Sequence, residues 1–125
     1  MYYLKHFDNI LGDWGGSKSP GLEILKGENS YQVRAELPGV EEADLNVRVE
    51  DGHLVIAGER KVEENQDYKV SYTELSSYQR FERRLKLARE IDTEKVAAAL
   101  KNGVLTVELP LSEARKPKKI AVNAA

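Results

Sequence analysis

The chain is written in short alternating units separated by two-residue turn signals. YQVRAEL puts Tyr31, Val33, Ala35 and Leu37 on one parity and polar residues on the other, and LNVRVE does the same with Leu45, Val47 and Val49. Side chains of an extended backbone point alternately to opposite faces, so each unit reads as a half-buried strand, whereas a helix would repeat its apolar residues every three or four. Asp51-Gly52 and Asn102-Gly103 fall directly between such units. The tightest hairpin turn needs positive φ at both central residues, which these pairs tolerate, so each marks an antiparallel hairpin. HLVIAG is apolar without alternation at Leu54, Val55, Ile56 and Ala57, the pattern of a strand covered on both faces.

The remaining chain extends the pattern. GLEILK alternates through Leu22 and Ile24, VLTVELP ends at Pro110, and the stretch from Phe81 carries Phe81, Arg83, Leu85 and Leu87 on one parity, an arginine on an otherwise apolar face. PGVEEAD is a turn or a short helical excursion. IDTEKVAAALKNG admits a helix, with Asp92 as N-cap and Gly103 as stop. A polar excursion follows GER, and inside it Tyr68, Val70 and Tyr72 alternate again; its seventeen residues, 61–77, far exceed a hairpin loop of two to five, so they predict an additional role. Strands this short and numerous, with too few helices to cover a parallel sheet, predict an all-β antiparallel sandwich.

At 125 residues the chain fits one domain with a real core, and 41% hydrophobic with 32% charged residues is a folded balance. Without cysteine, disulfides, thiolate nucleophiles and Cys-ligated zinc are excluded. His6 and His53 show no metal-ligand spacing, Ser71, Ser76, Ser77 and Ser112 lie in no G-x-S-x-G context, and Gly12, Gly15 and Gly16 make no phosphate loop. Acid pairs such as Glu41-Glu42 and Glu63-Glu64 read as solvated charge. These patterns predict no enzyme, no cofactor and no metal. A net charge of -2 predicts no general attraction to nucleic acid, and RFERRLK, with Arg80, Arg83, Arg84 and Lys86 near Tyr78 and Phe81, reads as a solvated or interface strand. No apolar run is long enough for a membrane span and the start lacks an export pattern, so a cytoplasmic location and no membrane partner are expected.

Both termini look made for contact. Residues 1–20 form an arm in which Phe7, Ile10, Leu11 and Trp14 belong to a loose helical stripe ended by Gly15-Gly16, suited to assembly or client contacts. The tail, residues 112–125, carries Arg115, Lys116, Lys118 and Lys119 against Glu113 alone, then Ile120 and Val122 on one extended face. A sandwich has exposed strand edges, and Ile120-Ala121-Val122 is a candidate added strand.

AELPGV at 35–40, DGHLVIAGER at 51–60, the F-x-R element at 81–83 and A-x-x-x-NGVLTVELP at 98–110 agree in order with the small heat-shock proteins, and the chain resembles that Hsp20 or α-crystallin domain family in its prokaryotic or plant-like form. Ala88, where the family commonly has Pro, and Leu111, where it usually has Lys, depart from the pattern.

The resemblance implies an immunoglobulin-like β-sandwich over residues 21–111 and a short strand, in place of the helix, before Asn102-Gly103. It implies a stress-response chaperone that is an ATP-independent holdase for unfolding proteins and works as a dimer-based homo-oligomer; the alternative is a non-catalytic structural or co-chaperone module. Ile120 and Val122 match the family's I-x-V element, which would dock in another subunit between residues 45–50 and 96–101, with Leu45, Val47, Val49, Val96, Ala98 and Leu100 lining the groove. Residues 68–72 would cross to the partner's sheet, making Tyr68, Val70, Tyr72 and Arg83 dimer contacts. Glu59 is a candidate charge partner for Arg83.

Overall fold

The computed structural model describes residues 19–61, 65–75, 78–113 and 119–124. The arm residues Phe7, Ile10, Leu11 and Trp14, together with His6, lie outside the described residues, as do Arg115, Lys116 and Lys118 of the tail.

Seven strands form: β1 (Leu22–Lys26), β2 (Ser30–Glu36), β3 (Leu45–Glu50), β4 (His53–Glu59), β5 (Arg80–Lys86), β6 (Ala97–Lys101) and β7 (Val104–Pro110). One sheet has the order β1-β2-β7-β6 and the other β3-β4-β5, all neighbours antiparallel. This is the expected sandwich. Both hairpin signals close two-residue loops, with Asp51 and Gly52 at φ 50 and 74 and Asn102 and Gly103 at φ 53 and 78, the left-handed geometry that lets the flanking strands keep their twist.

The inward parities meet in one core. Val33, Ala35 and Leu37 near β2, and Leu105, Val107 and Leu109 of β7, pack against Leu54 and Ile56 of β4 and Phe81 and Leu85 of β5, all buried. β4 is the central strand of its sheet, and Leu54, Val55 and Ile56 are each 0% exposed, as its unbroken apolar run predicts. Val55 points away from the core. Arg48 and Arg84 flank it in register on β3 and β5, and their guanidinium groups pair with Glu50 and Glu82, so the aliphatic stems can roof the valine while the charges stay wet.

The helix that the residues alone admit over 91–103 is not there beyond one turn, and the short strand implied by the resemblance takes its place. Asp92 does cap it, its Oδ1 accepting from the Glu94 N–H at 3.1 Å, but only Thr93–Lys95 is helical, as a 3-10 turn, and β6 begins at Ala97. The groove strand therefore starts one residue later than expected, with Val96 in the turn's C-cap. Glu42–Asp44 is likewise a single 3-10 turn, the short excursion read from PGVEEAD.

Gly58 is fixed by crowding. A Cβ there would meet Phe81 Cζ at 2.7 Å and the Asp44 carbonyl oxygen at 2.9 Å, because the Phe81 ring lies over the bare backbone of the facing strand. Gly58→Ala is expected to lower stability by about 1–3 kcal/mol through this overpacking. Urea unfolding monitored by circular dichroism checks it. An unchanged midpoint would mean that the ring and the 3-10 turn shift freely.

Candidate functional site

An open sandwich leaves four edge strands, here β1 and β6 of one sheet and β3 and β5 of the other, each with one ladder neighbour among the described residues. Unpaired N–H and C=O groups along such edges are templates for another strand. The edges face one another in pairs across the two mouths of the sandwich.

At the first mouth, Leu45 and Val47 of β3 look across at Ala98 and Leu100 of β6 over a groove of about 400 Å³, with buried Leu105 below and exposed Glu42 and Ala99 at its margin. Alanines at 97, 98 and 99 keep this side low, and Ala98 leaves a notch beside Leu100. Four of the six residues expected in the groove are brought together. Val49 and Val96 are half-buried and do not line it, Val96 packing instead against the core. Residues 119–124 form neither helix nor strand, and Ile120 and Val122 are 82% and 93% exposed, so the tail's apolar pair is not docked on its own chain.

At the second mouth β1 lies against β5. Arg83, on the inward parity between Phe81 and Leu85, is 6% exposed, and its Nη1 donates to the carbonyl of buried Pro20 at 2.8 Å. Desolvation pushes its pKa down. Glu59 is not the partner expected of it: that carboxylate lies 4.0 Å from Arg80 on the exposed parity. A side chain facing the core reaches the adjacent backbone, not an outward-facing acid on the neighbouring strand.

The long excursion leaves this edge with a tied base. The Arg60 N–H donates to the Gln79 carbonyl at 2.7 Å, the Arg60 guanidinium sits 4.7 Å from the Tyr78 ring centroid, and its stem lies beside Gly39, whose φ is +80. Tyr78 in turn meets Phe81 edge-to-face at 5.7 Å. Beyond the base, Tyr68, Val70, Tyr72 and Leu75 are 77%, 80%, 79% and 83% exposed. Residues 68–72 lie in no strand of their own chain. Local bonds shape the segment: the Asp67 N–H donates to Asn65 Oδ1 at 3.0 Å, and the Tyr72 hydroxyl donates to Glu74 Oε1 at 2.6 Å, which holds the Tyr72 pKa above the usual phenol value. Leu75 escaped the sequence reading because it breaks the period-two run of 68, 70 and 72.

The RFERRLK strand offers no platform for bases. Tyr78 and Phe81 are buried, Arg83 points inward, and Arg84 lies 3.9 and 3.8 Å from the carboxylates of Glu50 and Glu82. Arg48 bonds Glu50 at 2.9 Å and holds its carboxyl below the usual range. His53, half-buried, has its Nδ1 2.9 Å from the Asp51 carbonyl oxygen. Among the described residues no group of three or more His, Cys, Asp or Glu side chains could hold a metal ion. What the described residues bring together is two apolar mouths, the β3/β6 groove and a cavity of about 300 Å³ between β1 and β5, with open strand edges and exposed apolar segments beside them.

Known proteins share the sequence pattern and the fold. Residues 23–123 match the Hsp20/alpha crystallin family. The 16.9 kDa class I heat shock protein 1 of Triticum aestivum is 38% identical over 119 residues, 94% of this chain and 72% of that protein. Spore protein SP21 of Stigmatella aurantiaca is 34% identical over 106 residues, 85% of this chain and 63% of that protein, so the chain spans less than two thirds of that relative's length. Among solved structures, a small heat-shock protein from Xylella fastidiosa superposes with a TM-score of 0.71 at 31% identity, covering 87% of this chain and 100% of that one. Heat shock protein 16.0 of Schizosaccharomyces pombe gives 0.69 at 33% identity, covering 84% and 98%. With the sandwich topology, the hairpin turns and matches to both bacterial and plant relatives in agreement, the chain belongs to the Hsp20/alpha crystallin family of small heat shock proteins.

Proposed function

We propose that the chain is an ATP-independent holdase whose working unit is a strand-exchanged homodimer, assembled further by its tail. The observation that carries this is the pairing of open apolar acceptors with exposed apolar donors: a β3/β6 groove and a β1 edge on one side, Ile120, Val122 and residues 68–72 on the other. An extended segment adding to a sheet edge gains main-chain hydrogen bonds along the ladder and specificity from alternate side chains in pockets. The tail fits the first mouth and the excursion the second. Arg83 stands behind the second by anchoring Pro20, just ahead of β1.

The same features suit the capture of unfolding proteins. A client exposes extended apolar segments as it loses structure, and a mouth vacated by a tail offers them an edge and an apolar floor. Burying one aliphatic side chain contributes about 1.5–3 kcal/mol before ordering costs, so such contacts are individually reversible. No bond is made or broken and no nucleotide is consumed. The Xylella fastidiosa relative, described as having a distinct high order structure, supports assembly beyond the dimer.

Light scattering of a heat-labile client tests the proposal. Protection at near-stoichiometric subunit ratios, unchanged by ATP, is expected. Failure to protect any of several clients would leave a structural or co-chaperone module as the better account.

A further inference from the structure

We infer that Arg60 couples the two assembly sites, so that a tail seated in the β3/β6 groove strengthens the dimer; the inference rests on the tail docking and the strand exchange proposed above. Arg60 immediately precedes the excursion and stands on the parity of Leu54, Ile56 and Gly58, the core side of β4. Its N–H bond to the Gln79 carbonyl extends the β4–β5 ladder one step past Glu59 and Arg80, so the two strands are still paired where the excursion leaves and returns. The side chain then bridges two parts of the molecule. Its guanidinium lies 4.7 Å from the ring centroid of Tyr78, the residue just after the excursion, which is 4% exposed. Its Cγ and Cδ lie so close to Gly39 that a Cβ there would meet both at 3.3 Å.

Gly39 belongs to the other site. Residues 37–44 carry the chain from β2 to β3 along one end of the groove: the Leu37 N–H donates to the Gly103 carbonyl of the β6–β7 hairpin at 2.7 Å, the Val40 N–H donates to the Leu37 carbonyl at 3.2 Å, Glu42 borders the groove, and Leu45 at the start of β3 lines it. The base of the excursion touches this connection repeatedly. Besides Arg60 on Gly39, Lys61 Nζ lies 3.5 Å from Asp44 Oδ2, but the lysine is 70% exposed and such pairs are worth little. Gly58 also meets the Asp44 carbonyl, as backbone held in the ladder on both sides. The half-buried Arg60 side chain touches both the root of the excursion and the end of the groove, and it rests on a glycine at φ +80 that has no Cβ to limit it. A tail seated along Leu45 and Val47 holds β3 and the turn ahead of it. Through Gly39 that fixes Arg60 over Tyr78, so the excursion starts from a set direction and less ordering is left for its crossing to a second subunit.

Reciprocity makes the coupling measurable: if tail binding strengthens the dimer by some factor, dimerisation strengthens tail binding by the same factor. Full-length chains carrying I120G and V122G, whose own tails cannot fill the groove, are mixed with a synthetic peptide of residues 116–125, KPKKIAVNAA. Sedimentation equilibrium gives the dimer dissociation constant with and without saturating peptide. A decrease of about fivefold or more is expected. It should vanish when R60A is added and shrink with R60K, which keeps a charged stem but not the planar group on Tyr78. Circular dichroism melts check that each variant is folded, and R60K carries the comparison if R60A is not. A peptide that binds yet leaves the dimer constant unchanged, or raises it, would overturn the coupling while leaving both sites standing. A decrease of parental size in R60A and R60K would overturn Arg60 as its carrier. No peptide binding at all would overturn the tail docking, and a chain that stays monomeric would overturn the strand exchange, each taking the coupling with it.

Discussion

Chains carrying Ile120→Gly and Val122→Gly together are expected to sediment as dimers, with higher assemblies lost and the β-rich circular dichroism spectrum unchanged. Neither side chain supports its own domain, since Ile120 and Val122 are 82% and 93% exposed, so their loss does not touch the core. Docked on another subunit, the two would bury about 3–6 kcal/mol of apolar surface energy before ordering costs. Glycine removes that term and also raises the entropy cost of fixing an extended tail. Lys119→Ser should change little, because a charge at a wet rim is screened and modest in value.

The acceptor side gives an independent check. Ala98 is exposed and leaves the notch beside Leu100, so Ala98→Leu fills the groove without entering the core. It should reproduce the dimer. Unchanged assembly mass in the tail variant would show that another surface carries the higher oligomer, and a drop in the tail variant without one in Ala98→Leu would move the docking site elsewhere.

What could be read in advance divides by physical cause. The hairpins at Asp51-Gly52 and Asn102-Gly103 and the central placement of β4 were legible, because positive φ and two-sided burial leave marks on residue type. β6 was ambiguous for a stated reason: Ala97, Ala98 and Ala99 give no contrast between faces, so good helix formers behind a real Asp92 cap hid the alternation of Val96, Ala98 and Leu100. The resemblance, not the periodicity, favoured a strand there. Gly58 and the Pro20 partner of Arg83 depend on a ring or a carbonyl brought close by the fold, and no spacing encodes either. The apolar cavity of about 300 Å³ at the second mouth was equally hidden, since its lining comes from Ile24 of β1, Val33 of β2, Leu85 of β5 and Leu87 and Ile91 in the chain after β5. Alternation at 68, 70 and 72 marked the proposed donor, whereas the proposed acceptor, the β1 edge, emerges only from the sheet order.

Arg83→Glu is expected to unfold the domain or nearly so, whereas Arg83→Met leaves it folded with a weakened dimer. Arg83 crosses from β5 to Pro20, immediately before β1, and so joins the two sheets at the mouth where β1 is an edge. At 6% exposure, a carboxylate in its place would face the Pro20 carbonyl oxygen and lie between the apolar residues Phe81 and Leu85 of its own strand face. An uncompensated buried charge of this kind costs about 3–5 kcal/mol, a large share of a domain's stability. Methionine keeps much of the aliphatic stem and loses the donated hydrogen bond, at a cost of about 1–3 kcal/mol if the carbonyl stays buried. That loss falls on the start of β1, the strand proposed to receive residues 68–72, so dimer dissociation should precede unfolding in Arg83→Met as temperature rises. Sedimentation at increasing temperature, set beside the thermal melt, separates the two events. A variant as stable and as dimeric as the parent would mean that the Pro20 contact does nothing to hold the β1 edge. Loss of stability with no loss of dimer would confine Arg83 to the core of its own subunit.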